Sequence, residues 1–124
     1  MIDHIEIRTH DLPATQRFYA DLLAPLGYAL KVDGPVKGFG VGTRLDFFVG
    51  EGPPSRDVHY AFRAPTREVV DAIHATGLRA GHALDRAPAI MPHIHPDYYA
   101  GFFRDPDGRL IEFVCHTAEA AMAA

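Results

Sequence analysis

Hydrophobic and polar residues alternate in two short segments, one near the start of the chain and one near its middle. Residues 2–8 read Ile-Asp-His-Ile-Glu-Ile-Arg, and residues 58–63 read Val-His-Tyr-Ala-Phe-Arg. A period of two is typical of a strand with one buried face, so each segment predicts a β-strand. Behind each strand, apolar residues recur at helical spacing, which predicts a helix after each of them.

Helix-capping and turn-forming residues predict where the other elements begin and end. Asp11 and Pro13 are typical of a helix start, Pro25 with Gly27 predicts the end of that helix, and Gly77 predicts the end of the second one. Three strands are expected after each helix. They are predicted near residues 28–32, 38–42 and 44–49 in the first half, and near 78–84, 98–104 and 110–116 in the second.

The sequence therefore predicts the same order of elements, βαβββ, twice. Module 1 covers about residues 1–50, a turn-rich linker covers residues 50–56, and module 2 covers about residues 57–116. A chain of 124 residues suits one domain with a modest core, so residues 1–124 are expected to form a single α+β domain. The two first strands also match in residue type, with a histidine four positions before an arginine in each.

Composition narrows the class of protein. Hydrophobic residues make up 48% and charged residues 23%, as in ordinary soluble globular proteins. The net charge is −4, and acidic and basic residues are interspersed along the chain, which argues against nucleic acid or an anionic membrane as a partner. No apolar run reaches the ~20 residues of a membrane span. The sole cysteine, Cys115, excludes a disulfide within the chain, and the sequence starts without a signal-peptide pattern, so a cytoplasmic protein is expected.

Strand alternation places four ionisable side chains on the sheet faces that point away from the helices. His4 and Asp46 belong to module 1, and His59 and Glu112 belong to module 2. Burying two imidazoles and two carboxylates without a partner would be costly, and a divalent cation is a suitable partner. A second interpretation stays open, in which the histidines are hydrogen-bonded packing residues and the carboxylates face solvent.

The late segment 102–113 reads Phe-Phe-Arg-Asp-Pro-Asp-Gly-Arg-Leu-Ile-Glu-Phe, a turn followed by a strand. Together with residues 2–8, and with Asp11-Leu12 leading to Arg17-Phe18-Tyr19, it resembles the vicinal oxygen chelate superfamily of glyoxalase I, fosfomycin-resistance proteins and extradiol dioxygenases. The resemblance runs from about residue 2 to residue 116. It implies two βαβββ modules that form a partly open, barrel-like mixed sheet with the helices on the outside.

The resemblance also implies a metal site. His4, His59 and Glu112 match the family's ligand positions, which implies one divalent ion (Zn, Ni, Mn, Co or Fe(II)), a small-molecule substrate and a homodimer. The site is then built within one chain or shared between two. Leu45-Asp46-Phe47 mirrors Ile111-Glu112-Phe113, but glyoxalases carry a glutamate at the former position. The shorter Asp46 is expected either as a base beside the metal or as a surface residue.

Further candidates lie outside the ligand set. A His- and Tyr-rich segment at residues 91–99 could supply acid–base groups or instead a dimer contact. Two arginines could bind an anionic group, and one aromatic residue is expected in the pocket wall. These candidates are His95, Tyr98 and Tyr99 for catalysis, and Arg8, Arg63 and Phe48 for substrate binding. The remaining histidines with no predicted companion at the site are His10, His74, His82 and His116.

Three functions fit this sequence. The first is a metal-dependent lyase or isomerase like lactoylglutathione lyase, with Asp46 as a possible fourth group. The second is an extradiol-type ring-cleaving dioxygenase, favoured by three ligands and by the His95, Tyr98 and Tyr99 group. The third is a drug-binding protein without catalysis, like bleomycin-resistance proteins. Thiol transfer of the fosfomycin-resistance type uses the same three ligands.

Overall fold

Two βαβββ modules make up the computed structural model, which describes residues 1–118. Module 1 consists of β1 (Ile5–Thr9), α1 (Leu12–Leu23), a 3₁₀ turn (Ala24–Leu26), β2 (Ala29–Asp33), β3 (Val36–Gly40) and β4 (Phe47–Glu51). Module 2 consists of β5 (His59–Arg63), α2 (Arg67–Ala80), β6 (Ala83–Ile90), β7 (Tyr99–Arg104) and β8 (Leu110–Cys115). Neither helix in residues 1–118 is long and apolar enough to cross a bilayer.

Each module forms one four-stranded mixed sheet, and the two sheets have the same topology. Their strand orders are β1-β4-β3-β2 and β5-β8-β7-β6. The first strand of each module runs parallel to the last, and the other neighbours are antiparallel. The sequence prediction of an α+β fold built from a repeated βαβββ unit is confirmed, and the sheets do not close into a barrel.

Both helices begin at a side-chain cap. The Asp11 carboxylate accepts from the Ala14 N–H at 3.1 Å, as the sequence predicts, and the Thr66 hydroxyl accepts from the Val69 N–H at 3.2 Å. Each cap satisfies a backbone donor that the helix itself leaves free. After α1, the chain turns through Gly27, which has a φ of 88° that favours glycine.

The predicted end of the second helix at Gly77 is wrong. The helix continues to Ala80, and Gly81, with a φ of 80°, is its C-cap. A Cβ on Gly77 would lie 2.6 Å from Cε1 of Phe103, so this glycine permits close packing of α2 on β7. The strand expected at residues 78–84 accordingly begins later, as β6.

Module 1 differs from the predicted bounds around its last turn. Residues 41–46 form a turn between β3 and β4, with Gly42 at a φ of 60° and an Arg44 N–H donating to the Val41 carbonyl at 2.9 Å. The two strands predicted at 38–42 and 44–49 are therefore displaced in opposite directions. β4 also extends to Glu51, inside the predicted linker.

The two modules share one hydrophobic core. It is built from the helix-facing sides of both sheets and from the inner faces of α1 and α2. Its buried members are Ile7, Phe18, Tyr19, Leu22, Leu23, Phe39, Phe47, Val49, Ile73, Phe103, Ile111 and Phe113. Each such side chain stabilises the fold by about 1.5–3 kcal/mol relative to an exposed one. The other face of each sheet, called the open face here, points away from the helices.

The Asp-Pro-Asp-Gly-Arg turn before β8 ties the modules together. Arg109 is fully buried and donates to the carboxylates of Asp105 at 2.8 Å and Asp107 at 3.2 Å. It also donates to the Ser55 carbonyl at 2.8 Å and to the Arg8 carbonyl of β1. The turn thus fixes the linker, β1 and the start of β8 relative to one another.

Candidate functional site

His59 and Glu112 lie side by side on the open face of the second sheet. In the parallel pair of β5 and β8, His59 is opposite Leu110 and Ala61 is opposite Glu112, and opposed residues face the same side. The Nε2 atom of His59 is 3.0 Å from Oε1 of Glu112. The Glu112 side chain is only 6% exposed and that of His59 is 49% exposed, so the pair can be reached from the histidine side.

The hydrogen bond on the far side of the imidazole fixes how His59 meets the carboxylate. Nδ1 of His59 is 2.9 Å from the carbonyl oxygen of Leu110, which can only accept, so Nδ1 carries a proton. In a neutral imidazole, Nε2 then presents a lone pair to the Glu112 oxygen. Two acceptors at this distance need a shared cation, either a proton between them or a metal ion that both coordinate from one side.

Tyr98 closes the other side of the carboxylate. Its hydroxyl donates to Oε2 of Glu112. Burial, followed by this hydrogen bond, raises the pKa of Tyr98 to about 12. The phenol therefore keeps its proton at neutral pH and acts as a hydrogen-bond donor. Of the three catalytic candidates in the loop and β7, Tyr98 is the one that contacts Glu112.

A pair of imidazoles supports the loop that carries Tyr98. The Asp97 N–H donates to Nδ1 of His95 at 3.2 Å, so Nε2 of His95 carries the proton and donates to Nδ1 of His116 at 2.9 Å. The rings of His95 and His116 lie 5.4 Å and 5.3 Å from that of Tyr98. The sequence predicts no companion for His116, because the loop that brings His95 onto it cannot be read from periodicity.

Tyr99 lies on the opposite side of the sheet from Glu112. Its hydroxyl donates to Asp71 of α2, and the Arg67 guanidinium lies 5.4 Å from its ring centroid. Alternation along β7 separates Tyr98 and Tyr99, so only the first is near the His59 and Glu112 pair. Tyr99 instead attaches β7 to the second helix.

In module 1 the position equivalent to Glu112 is occupied by Phe48. Glu112 is opposite the residue two after His59, and Phe48 is opposite Glu6, the residue two after His4. The ring of Phe48 lies 5.6 Å from that of His4. The sequence alignment of Asp46 with Glu112 is therefore displaced by two residues from the observed register.

Asp46 immediately precedes β4 and lies beside the start of β1. Its carbonyl accepts from the Ile5 N–H at 3.0 Å. Oδ2 accepts from the Tyr28 hydroxyl and from the Arg44 guanidinium, both at 3.1 Å. Oδ1 is buried and has no hydrogen-bond partner within residues 1–118. The carboxylate thus has one unpaired but shielded oxygen, and Asp46 and His4 line the same pocket.

His4 is exposed at the entrance to β1, with Nδ1 2.7 Å from the Asp3 carboxylate. Within residues 1–118 of a single chain, no three His, Cys, Asp or Glu side chains lie close enough together to hold a metal ion. One chain therefore brings together two of the predicted ligands, His59 and Glu112, and leaves His4 apart from them.

The two candidate arginines have different surroundings. Arg8 is paired with Glu6 on the open face of the first sheet. Arg63 is exposed at the end of β5 and lines a cleft between the modules together with Arg44 and Tyr28. Since Arg8 already has a carboxylate partner, Arg63 is the more available of the two for an anionic group.

Paired βαβββ modules with an ionisable pair on an open sheet face define the class of protein. The sequence profile of the Glyoxalase/Bleomycin resistance protein/Dioxygenase superfamily matches residues 1–113. The chain belongs to this superfamily, as the resemblance in its sequence indicated. No functionally curated protein matches the chain.

Solved structures share the fold over nearly the whole chain. A glyoxalase/bleomycin resistance protein from Albidiferax ferrireducens is 24% identical with a TM-score of 0.77, covering 93% of this chain and 98% of its own. Lactoylglutathione lyase from Agrobacterium tumefaciens is 21% identical with a TM-score of 0.66, covering 93% and 92%. A fosfomycin resistance protein from Mesorhizobium loti is 18% identical with a TM-score of 0.71, covering 94% and 92%. At these identities the similarity shows the fold alone.

Proposed function

We propose that the chain is a metal-dependent enzyme that binds a small substrate through two neighbouring oxygen atoms. The observation that carries this proposal is the contact between His59 and Glu112, with the far nitrogen of the imidazole anchored to the Leu110 carbonyl. A histidine that donates through Nδ1 to a carbonyl and turns Nε2 toward a carboxylate has the arrangement usual for metal ligands.

The third ligand in this proposal is His4 of a second copy of the chain. His4 is exposed and distant from the other two ligands in its own chain. The open faces of both sheets are the surfaces on which a homodimer would form a site from module 1 of one copy and module 2 of the other. Two histidines and one carboxylate leave positions free for substrate oxygens. Zn, Ni, Mn, Co or Fe(II) suits this set of donors.

A divalent ion bound there would polarise the substrate oxygens and acidify a neighbouring C–H bond. The chain supplies the groups around it. Tyr98 donates a hydrogen bond from a phenol that stays protonated at neutral pH. Asp46 has one carboxylate oxygen without a partner in residues 1–118 and lies beside His4, so it would arrive at the shared site together with that ligand.

A lyase or isomerase of the lactoylglutathione-lyase type is our first assignment within this class. It needs a base that moves a proton between adjacent carbons, and Asp46 is available for that role. Since Phe48 occupies the position equivalent to Glu112, module 1 supplies no carboxylate ligand there, and the proposed centre has three protein ligands.

An extradiol-type dioxygenase is the second candidate. The observation that favours it is the hydrogen-bonded pair of His95 and His116 packed against Tyr98, which could hold and move protons near an oxygenated substrate. Turnover of hemithioacetals by the Zn- or Ni-loaded protein supports the lyase. Turnover of catechols by the Fe(II)-loaded protein supports the dioxygenase. Drug binding without turnover of either would support a resistance protein.

Metal binding tests the ligand set directly. Calorimetric titration with Zn²⁺ should show binding by the wild-type chain and strong loss in His59→Ala and Glu112→Ala. The loop variant His93→Ala is the control and should bind as the wild type does, because His93 is exposed. Undiminished binding by His59→Ala would contradict the proposed centre.

Mixing two inactive variants tests whether the site is shared. His4→Ala and His59→Ala chains, each without a complete site, are combined under conditions that allow subunits to exchange. Random exchange makes about half of the dimers mixed, each with one intact site of two, so about a quarter of the sites should recover. No recovery from exchanged dimers would place the site within one chain and contradict the shared arrangement.

A further inference from the structure

Arg86 lies on the open face of the second sheet, in the same row as Glu112. On β6 it is opposite Phe102 of β7, and Phe102 is opposite Glu112 of β8. Neighbouring strands are about 4.8 Å apart, so Arg86 and Glu112 are separated by two strand spacings, with the ring of Phe102 between them.

A β-bulge puts Arg86 in this position. Leu84 pairs with Phe103, but the next pair is Arg86 with Phe102, so Asp85 is an extra residue on β6. In a regular ladder Asp85 would be opposite Phe102. Its carboxylate would then lie on the open face, in the same cross-strand row as Glu112. Bulges often redirect side chains next to active sites. Here the bulge places a positive charge on the open face in place of a negative one.

The displaced carboxylate does not neutralise Arg86. Oδ1 of Asp85 is 3.1 Å from Nε of Arg104, with which it forms an ion pair. Within residues 1–118, Arg86 has no hydrogen bond and no ion pair, and its Cζ lies 4.6 Å from the Phe102 ring centroid. Stacking on a ring holds the guanidinium in place and leaves its N–H donors free.

The stacked guanidinium reaches back from β6 toward β8. Because it lies over Phe102, the remaining distance to the row position of Glu112 is about one strand spacing, or ~5 Å. His59 borders the same space, since its ring is 6.4 Å from that of Phe102 at an angle of 27°. A short molecule held at His59 and Glu112 could therefore extend across the ring to the guanidinium.

We infer that Arg86 binds a second, anionic group of the substrate, so that the enzyme selects molecules with a distal anionic group over molecules that have the same chelating oxygens but no such group. This rests on the proposed metal centre at His59 and Glu112. The ligand class is a short carbon chain with two neighbouring oxygens at one end and a carboxylate at the other. A guanidinium binds a carboxylate through two parallel hydrogen bonds, which selects for position as well as charge.

Two five-carbon acids of matched length test this inference. Both 2-oxopentanedioate and 2-oxopentanoate can chelate a metal through the carboxylate and the adjacent oxo group, but only the first has a distal carboxylate. Each is titrated by calorimetry into the full chain loaded with Mn²⁺, after Mn²⁺ binding alone has been measured. We expect the diacid to bind about tenfold more tightly in the wild type, as for a charge-assisted contact that solvent partly screens.

Substitutions assign the preference to a residue. Arg86→Gln should abolish the difference between the two acids and leave Mn²⁺ binding unchanged. Arg86→Lys should retain part of the difference, because it keeps the charge and loses the planar pair of donors. Arg79→Gln is the matched control, since Arg79 is exposed on α2 and bonds only to Thr76 within residues 1–118. It should preserve the full difference.

The results separate this inference from the proposed function. Wild-type chain that binds Mn²⁺ but does not distinguish the acids, or binds neither, overturns the role of Arg86 and leaves the metal centre standing. A tenfold difference that survives in Arg86→Gln also overturns it. Wild-type chain that binds no divalent metal overturns the proposed function, and the anion site with it.

Discussion

Replacing Arg109 by methionine removes a buried charge that contacts three parts of the fold. The side chain is fully buried, and its guanidinium donates to the Asp105 and Asp107 carboxylates at 2.8 Å and 3.2 Å. It also donates to the carbonyls of Ser55 and Arg8. Methionine fills much of the same space and makes none of these bonds, so two buried carboxylates would be left without their cation.

The expected loss follows from burial rather than from the number of bonds. Removing one partner of a buried ion pair costs about 3–5 kcal/mol, because the other charge stays buried and unpaired. Domains of this size have a free energy of unfolding of about 5–15 kcal/mol, so Arg109→Met should lose a large share of it. Arg104→Met is the matched control. Its guanidinium is half exposed and pairs with Asp85, and such pairs contribute about 0–1 kcal/mol.

The pH dependence of the loss identifies its cause. Burial on its own would raise the pKa of Asp107, but hydrogen bonds from Thr9 and His10 and the charge of Arg109 outweigh it and lower the pKa below its usual value. A carboxyl whose pKa is lowered by folding stabilises the protein above its unfolded pKa, and this contribution is lost as pH falls through the folded pKa. Without Arg109 the carboxyls protonate more readily, so the deficit of Arg109→Met should shrink as pH falls.

Urea denaturation followed by circular dichroism measures both effects, near neutral pH and again near pH 3, where the titration of Asp107 begins to matter. The wild type, Arg109→Met and Arg104→Met are compared at each pH. A loss in Arg109→Met no larger than that in Arg104→Met would refute the argument from burial. A large loss that is the same at both pH values would refute the argument from unpaired carboxylates.

Three further predictions follow from packing, titration and capping. Gly77→Ala should lower the free energy of unfolding by about 1–3 kcal/mol, although alanine favours a helix, because its Cβ would meet Phe103. Gly34→Ala is the control and should not lower it, because its Cβ would meet only the Val36 carbonyl oxygen, at 3.9 Å, and equal melting temperatures of the two variants would contradict this. Burial raises the pKa of Tyr19 and of Tyr60, so stability in urea should fall as pH rises above about 10, and less steeply in Tyr60→Phe; a flat wild-type profile would contradict this. Thr66→Ala removes the cap of α2 and should cost about 1 kcal/mol in the same assay, while an unchanged midpoint would show that the cap contributes nothing.

Periodicity and turn residues were sufficient to predict the repeated topology. Alternating segments at residues 2–8 and 58–63 overlap β1 and β5, although β1 begins only at Ile5, and the Asp11 cap begins α1 as expected. One error arose because the same residue type serves two purposes. Glycine is common at helix ends, so the sequence predicts that Gly77 ends α2. Its lack of a Cβ instead allows α2 to approach Phe103, and this contact is between residues that are distant in the sequence.

The sequence-based site prediction depended on counting positions along strands, and irregular backbone changes that count. The turn at residues 41–46 moves Asp46 out of β4 and puts Phe48 in the row that corresponds to Glu112. A bulge has a similar effect in module 2, at a position for which no prediction was made: without Asp85 as an extra residue, Arg86 would not face the open side of the sheet. By contrast, β5 and β8 are regular, and there alternation correctly predicted that His59 and Glu112 share a face.

The difference between the modules bears on how the proposed site is assembled. Each module has a histidine at the start of its first strand. On the neighbouring strand, however, the equivalent position is the Glu112 carboxylate in module 2 and Phe48 in module 1. Module 2 has a histidine–carboxylate pair and module 1 has a histidine beside an aromatic ring, so in the proposed site the two modules would be complementary. In the shared site that we propose, His4 of a second copy would complete the coordination while Phe48 beside it forms an apolar wall. In that arrangement Asp46 would reach the site together with His4, so Asp46→Asn should lower turnover and leave Zn²⁺ binding unchanged.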